Sequence, residues 1–201
     1  MGRTSFLCVD LQNDFASPKG RYYRPRESVR FDIEVLFPWM EEKKVGCAEI
    51  VSDYRQPRRG DPRDCCRPGE WGFHSLLPDS VRKGAPWIKS MNSPLWTREN
   101  AGRPDVGPGP PYPDTDGFDG WLVENLGRPD DTERVHVFGL TADCCVLCTV
   151  QELRFRGYEP VVISDATDVR SGDPKEKELF LSRPPFTYWG RSETFNELLH
   201  P

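Results

Sequence analysis

Five short apolar runs, each cut off by a polar residue or a glycine, set the strongest limit on how this chain can fold: residues 5–9, 48–52, 86–89, 135–139 and 161–164. Runs this short cannot make helices. A strand with one wet face would alternate polar and apolar positions, so continuous runs read as strands buried on both faces of a parallel sheet. Helical stripes stand between several of them. Residues 30–43 offer Ile33, Leu36, Phe37 and Met40, residues 145–156 offer Val146, Thr149, Val150 and Leu153, and residues 118–126 offer Trp121, Leu122 and Leu126. Strand–helix alternation with right-handed crossovers predicts a three-layer α/β/α sandwich around a mostly parallel sheet of five or six strands. Residues 186–189 are expected to add a last strand and residues 193–199 a closing helix.

Two stretches break the pattern. Residues 55–69 carry Arg55, Arg58, Arg59, Arg63 and Arg67 among prolines, and residues 100–117 are rich in Pro, Gly and Asp. Neither suits a helix or a central strand, and both read as long excursions from one domain spanning 1–201. With 27 Lys and Arg against 32 Asp and Glu the net charge is −5, which argues against nucleic acid as a partner. No apolar run approaches the roughly 20 residues of a membrane helix. Neither a membrane span nor a signal peptide is expected, and a cytoplasmic location follows as the expectation. Seven cysteines, with the vicinal pairs Cys65-Cys66 and Cys144-Cys145, do not suggest a disulfide framework.

Ligands of open α/β sheets bind beyond the carboxyl ends of the strands, so the residues just after each run are where chemistry is sought. After the first run stands Asp10, after the third Lys89, and after the fourth the string Gly139-Leu140-Thr141-Ala142-Asp143-Cys144-Cys145. Cys145 falls where a turn hands over to a helix, where free N–H groups favour a thiolate. Asp143 is expected to cap that helix. Lys89 would lower the thiol pKa further, and Asp10 would take the proton and return it to a leaving group. Taken singly, each has an ordinary structural explanation in packing, capping or solvation.

Their flanking residues add a resemblance. Val9-Asp10-Leu11-Gln12-Asn13-Asp14-Phe15 looks like the first motif of the isochorismatase-like cysteine hydrolases, the superfamily of nicotinamidases, N-carbamoylsarcosine amidases and ureido-acid or biuret hydrolases. Lys89-Ser90-Met91-Asn92-Ser93-Pro94-Leu95 resembles the second motif, and Gly139 through Thr149 the third. The resemblance implies a Rossmann-like, isochorismatase-type fold. It implies a catalytic set of Asp10, Lys89 and Cys145, with Cys145 rather than Cys144 as nucleophile. It further implies a cis peptide between Leu140 and Thr141, an oxyanion hole from the N–H groups of Thr141 and Cys145, and assembly as a dimer or tetramer. The implied reaction is hydrolysis of a C–N bond in a small amide, ureido or carbamoyl substrate through a thioester.

The chain also departs from the pattern. Nicotinamidases hold a divalent metal with Asp-x-His and a later His, whereas Asp53-Tyr54-Arg55 puts Arg at the first His and the later position falls near Cys65. No metal and no other cofactor is therefore expected. Arg55 is a candidate clamp for a substrate carboxylate and Phe15 a candidate pocket wall, with Trp96 assigned to the core. The alternatives are noncovalent isochorismatase chemistry, a catalytically silent binding or scaffold protein, redox use of Cys145-x-x-Cys148, and a zinc site of Cys65, Cys66, Cys145 and Cys148.

Overall fold

The structure, a computed structural model, describes residues 3–55 and 64–200. Its strands are β1 (Arg3–Val9), β2 (Cys47–Ser52), β3 (Trp87–Lys89), β4 (Trp96–Arg98), β5 (Pro111–Pro113), β6 (Thr132–Leu140), β7 (Pro160–Asp168) and β8 (Arg191–Glu193). Six of them make one sheet in the order β3-β2-β1-β6-β7-β8, parallel at every pairing. The continuous apolar runs are explained by two cores, one on each face. Leu7, Val9, Ile50, Val137 and Val162 face the helices Thr115–Leu126 and Leu147–Phe155, while Phe6, Cys8, Phe138, Leu140 and Ile163 face the helical residues 27–43 and Phe195. Successive strand residues point to opposite faces, so both cores are fed by the same runs.

The strand order reverses between β1 and β6, and the crevice at such a switch point is where open α/β sheets hold ligands. Asp10 follows β1 and the turn leading to Cys145 follows β6. Topology alone thus brings two of the three candidate residues to one crevice.

Several expectations change. Residues 186–189 form a one-turn helix, Phe186–Trp189, and not a strand; Pro185 presets helical backbone there, and the last strand follows at Arg191–Glu193. The closing helix is Phe195–Leu199, with a capping box from Thr194 and Glu197. Within residues 27–43 the turn Asp32–Leu36 is widened to a π-helical one just before Pro38, which has no N–H to close an α turn onto Glu34. The wider turn rotates the helix face: Asp32 is buried, and Ile33, expected inside, is 49% exposed. Trp96 is likewise no core residue, being 38% exposed on β4. The second excursion contains β5, which pairs antiparallel with β4, and the start of the helix capped by Asp114. In the first excursion Arg58, Arg59 and Arg63 lie outside the described residues. No helix among the described residues is long and apolar enough to cross a membrane.

Two predictions follow from the sheet. Gly139 has φ +111°, and a Cβ added there would stand 2.1 Å from the carbonyl oxygen of Val9. Gly139→Ala is expected to cost more than about 4 kcal/mol, read as loss of the cooperative urea transition. His136 on β6 is pushed down to about 4 by burial, with Arg134 and Arg191 adding to it, so its imidazole is neutral at pH 7 although Glu193 Oε1 lies 3.1 Å from Nδ1. The unfolded chain takes up the His136 proton first, so stability is lost as pH falls from about 6.5 towards 4. The loss from this group is about 2 kcal/mol at pH 5. His136→Gln is expected to shrink the fall in urea midpoint between pH 7 and pH 5.

Candidate active site

The first motif is a set of anchors around one carboxylate. Gln12, fully buried, donates to the carbonyls of Ser52 (3.0 Å) and Phe73 (2.9 Å) and accepts from Ser52 N–H (2.7 Å), tying the end of β1 to the end of β2. Asn13 donates to the Trp71 carbonyl, and Asp14 accepts from the N–H groups of Cys66 (2.6 Å) and Arg21 (3.2 Å). Between Val9 and these anchors Asp10 turns with φ 52°, a left-handed conformation that Asp tolerates, and its N–H is held by the Ile50 carbonyl at 2.9 Å.

The register Ser52↔Lys89 between β2 and β3 sets Lys89 beside that carboxylate. Lys89 Nζ is 2.7 Å from Asp10 Oδ2, and the Ser52 hydroxyl bridges the pair, accepting from Lys89 (2.8 Å) and donating to Asp10 Oδ1 (2.8 Å). The ammonium also reaches Tyr54 Oη at 2.5 Å, the Met91 carbonyl at 3.2 Å and Cys145 Sγ at 3.4 Å. Burial opposes this charge, yet Asp10, with Cys145 and Tyr54, outweighs it and holds the Lys89 pKa well above the ordinary lysine value. Lys89 is therefore a permanent cation with no access to water.

Cys145 lies in the widened turn Ala142–Val146 that precedes the helix Leu147–Phe155. Its sulfur is 3.5 Å from Tyr54 Oη and 3.9 Å from Asn92 Oδ1, while Asn92 Nδ2 donates to Cys144 Sγ at 3.0 Å. The hydrogen bond with Cys144, together with burial, pushes the Cys145 thiol well above the ordinary value in spite of Lys89. The lowering of the thiol pKa expected from the helix start and Lys89 is thus outweighed. The positive charge of Lys89 is already answered by Asp10, so a base must take the thiol proton. Asp143 is also not the expected cap. Thr141 occupies the cap position without a side-chain bond, and Asp143 accepts from the N–H of Arg170 at 2.9 Å.

The peptide between Leu140 and Thr141 is cis. The Thr141 carbonyl accepts from the N–H groups of Cys144 (3.0 Å) and Val146 (3.1 Å), which fixes the turn that carries Cys145.

Phe15 sits one ring away, edge-on to Tyr54 at 6.3 Å, so it supports the tyrosine. Arg55 is not placed for the role of carboxylate clamp. It is buried, and its five N–H groups are all spent: Nε and Nη2 on the two oxygens of Asp53, and the rest on the carbonyls of Asn100, Arg103 and Val106. The same bonds decide whether a metal fits. Asp53 gives both oxygens to Arg55 and accepts also from the Gly102 N–H, and Cys65 pairs with Tyr54 through the backbone. The donor set that would hold the ion in a nicotinamidase is thus closed by a guanidinium. Among the described residues no group of three His, Cys, Asp or Glu side chains is arranged for a metal, and all seven cysteines are free thiols. A cleft of about 370 Å³ lies between residues 67–70 and 104–108, with none of Asp10, Lys89 and Cys145 in its walls.

Ser52, Tyr54 and Asn92 were missed in the sequence. The first two stand at the end of β2, so the strand-end rule that selected Asp10 would have found them. Asn92 carries no such signal, since a loop brings it to the sulfur.

Residues 114–193, which include Cys145 but neither Asp10 nor Lys89, match the Isochorismatase domain. None of the curated proteins matches the chain in sequence. Among solved structures, an isochorismatase-like hydrolase from Alkaliphilus metalliredigens is 17% identical, with 98% of this chain and 98% of that chain covered and a TM-score of 0.67. A nicotinamidase/pyrazinamidase from Bacillus subtilis is 18% identical over 94% of this chain and 98% of that one, with a TM-score of 0.64. An N-carbamoylsarcosine amidase from Thermoplasma acidophilum is 20% identical over 96% of each chain, with a TM-score of 0.60. The superfamily resemblance read from the three motifs is thus met at the level of architecture: the chain has the isochorismatase-like fold, with its Isochorismatase domain match centred on the segment that carries Cys145.

Proposed function

We propose that the chain is a cysteine-dependent hydrolase of C–N bonds in a small amide, ureido or carbamoyl substrate. The observation that carries this reading is the buried Lys89 ammonium, 2.7 Å from the Asp10 carboxylate and 3.4 Å from the Cys145 sulfur. The reading takes residues 1–201 as one domain, because Asp10 and Lys89 come from one half of the sheet and Cys145 from the other.

In the proposed reaction Asp10 takes the thiol proton and Cys145 Sγ attacks the carbonyl carbon. The oxyanion is held by the N–H groups of Thr141 and Cys145, where the loss of one donor costs ~3 kcal/mol in comparable sites. The C–N bond breaks as Asp10 returns its proton to the leaving nitrogen, and ammonia or an amine departs. Water then gives a proton to Asp10 and its hydroxide to the thioester carbonyl, releasing the acid, and the proton goes back to the sulfur. Lys89 keeps Asp10 in place and supplies the charge that stabilises the transient thiolate. Burial of all three side chains strengthens these interactions by excluding water.

The test is ammonia release from a panel of amides, ureides and carbamoyl compounds. Cys145→Ala is expected to abolish it, and Asp10→Asn to lower it by about 10²–10⁴-fold. Intact-mass analysis should find an acyl adduct on the wild type and none on Cys145→Ala. Release that survives Cys145→Ala yet needs Asp10 would point to noncovalent chemistry, as in the vinyl-ether alternative. Tyr54→Phe removes the hydroxyl shared by Lys89 and Cys145, and is expected to lower kcat/KM about tenfold with little change in thermal midpoint.

A further inference from the structure

Beside the closed Asp53–Arg55 pair lies a second buried guanidinium. Arg98, at the end of β4, is 3% exposed, and its Nε and Nη1 are buried without a hydrogen-bond partner. Among the described residues it makes no ion pair. The carboxylates that act on it are Asp53, whose two oxygens are taken by Arg55, and Asp64, which pairs with Arg67 at 2.8 Å. Burial, aided by the positive charge of Arg55, holds its pKa below the ordinary arginine value against the pull of Asp53. An arginine stays charged even so. Among the described residues Asp53 is thus the buried carboxylate that faces both buried guanidiniums, an arrangement that a bound anion would balance.

The strand that carries Arg98 is tied to the candidate active site. Ser90, the residue after Lys89, donates from its N–H to the Trp96 carbonyl (2.8 Å) and from its hydroxyl to the Thr97 carbonyl (2.9 Å), and Thr97 donates to the Ile88 carbonyl (2.8 Å). Asp53 in turn precedes Tyr54, whose hydroxyl touches both Lys89 and Cys145. Arg98 therefore sits on the strand hydrogen-bonded to the residue after Lys89, and the carboxylate that acts on it belongs to the residue before Tyr54.

We propose that Arg98 binds a carboxylate of the substrate, so that the compound hydrolysed is an amide, ureide or carbamoyl derivative of a small carboxylic acid. This rests on the hydrolase reading above, and it moves the clamp expected of Arg55 to a guanidinium whose Nε and Nη1 have no partner among the described residues. A guanidinium suits a carboxylate through paired, charge-assisted hydrogen bonds that a neutral substrate cannot return.

The test reads binding and not turnover. Isothermal titration of Cys145→Ala compares succinamate, which carries a carboxylate, with butanamide, its neutral counterpart. Succinamate is expected to bind at least tenfold more tightly. In the double variant Cys145→Ala/Arg98→Met that preference should shrink to within twofold, while the thermal midpoint holds or rises because a buried unpaired charge has gone. Equal treatment of the two compounds by Cys145→Ala, binding of neither included, overturns the proposal, and so does a preference that survives Arg98→Met. Should Arg98→Met fail to fold, Arg98→Lys carries the test: loss of the planar fork is expected to weaken succinamate at least threefold and leave butanamide unchanged, and no change overturns the proposal. Ammonia release that persists in Cys145→Ala would sink the cysteine mechanism, yet the comparison of Arg98 variants would still decide the carboxylate site.

Discussion

An ammonium sealed from water survives only beside a negative charge, and the centre of this molecule is organised around that requirement. Lys89 has Asp10 at 2.7 Å and a bridging hydroxyl from Ser52, each delivered from the end of a different strand. Taking two charges out of water costs several kcal/mol per ion, so such a pair is weak evidence of stability for its own sake. Its value lies in position. The pair places a fixed positive charge against the Cys145 sulfur and a carboxylate on the same ammonium.

The hydrogen bond with Cys144 and burial push the Cys145 thiol up, and Lys89, already matched by a carboxylate, pulls against them without prevailing. Tyr54 and Asn92 complete the surroundings of the sulfur. The tyrosine is shared with Lys89 and backed by Phe15, so an aromatic ring links the first motif to the nucleophile.

How far this could be read in the sequence depends on where each residue sits. Strand interiors were legible because burial on both faces favours apolar residues over a continuous run, and strand ends were legible because the first polar residue after such a run stands at the sheet edge. Asp10 and Lys89 belong to that class, and Cys145 lies in the turn that follows β6. Errors arose where the backbone departs from a regular period. The widened turn ahead of Pro38 rotates Ile33 outwards and Asp32 inwards, and Pro185 makes a helical turn of four residues rich in aromatic side chains. Arg55 was misread for another reason: its partners are three carbonyls 45 to 51 residues away, and backbone acceptors leave no mark in a sequence.

Those three carbonyls also bear on how chemistry can change on this scaffold. Arg55 does two jobs at once, neutralising Asp53 and pinning the chain at Asn100, Arg103 and Val106. Replacing it with a metal-binding histidine would free the aspartate but release the loop, since an imidazole has too few donors to span both. An ancestor or descendant exchanging guanidinium for metal would therefore have to rebuild the 100–106 segment in the same step, so the two states are separated by a coordinated set of changes.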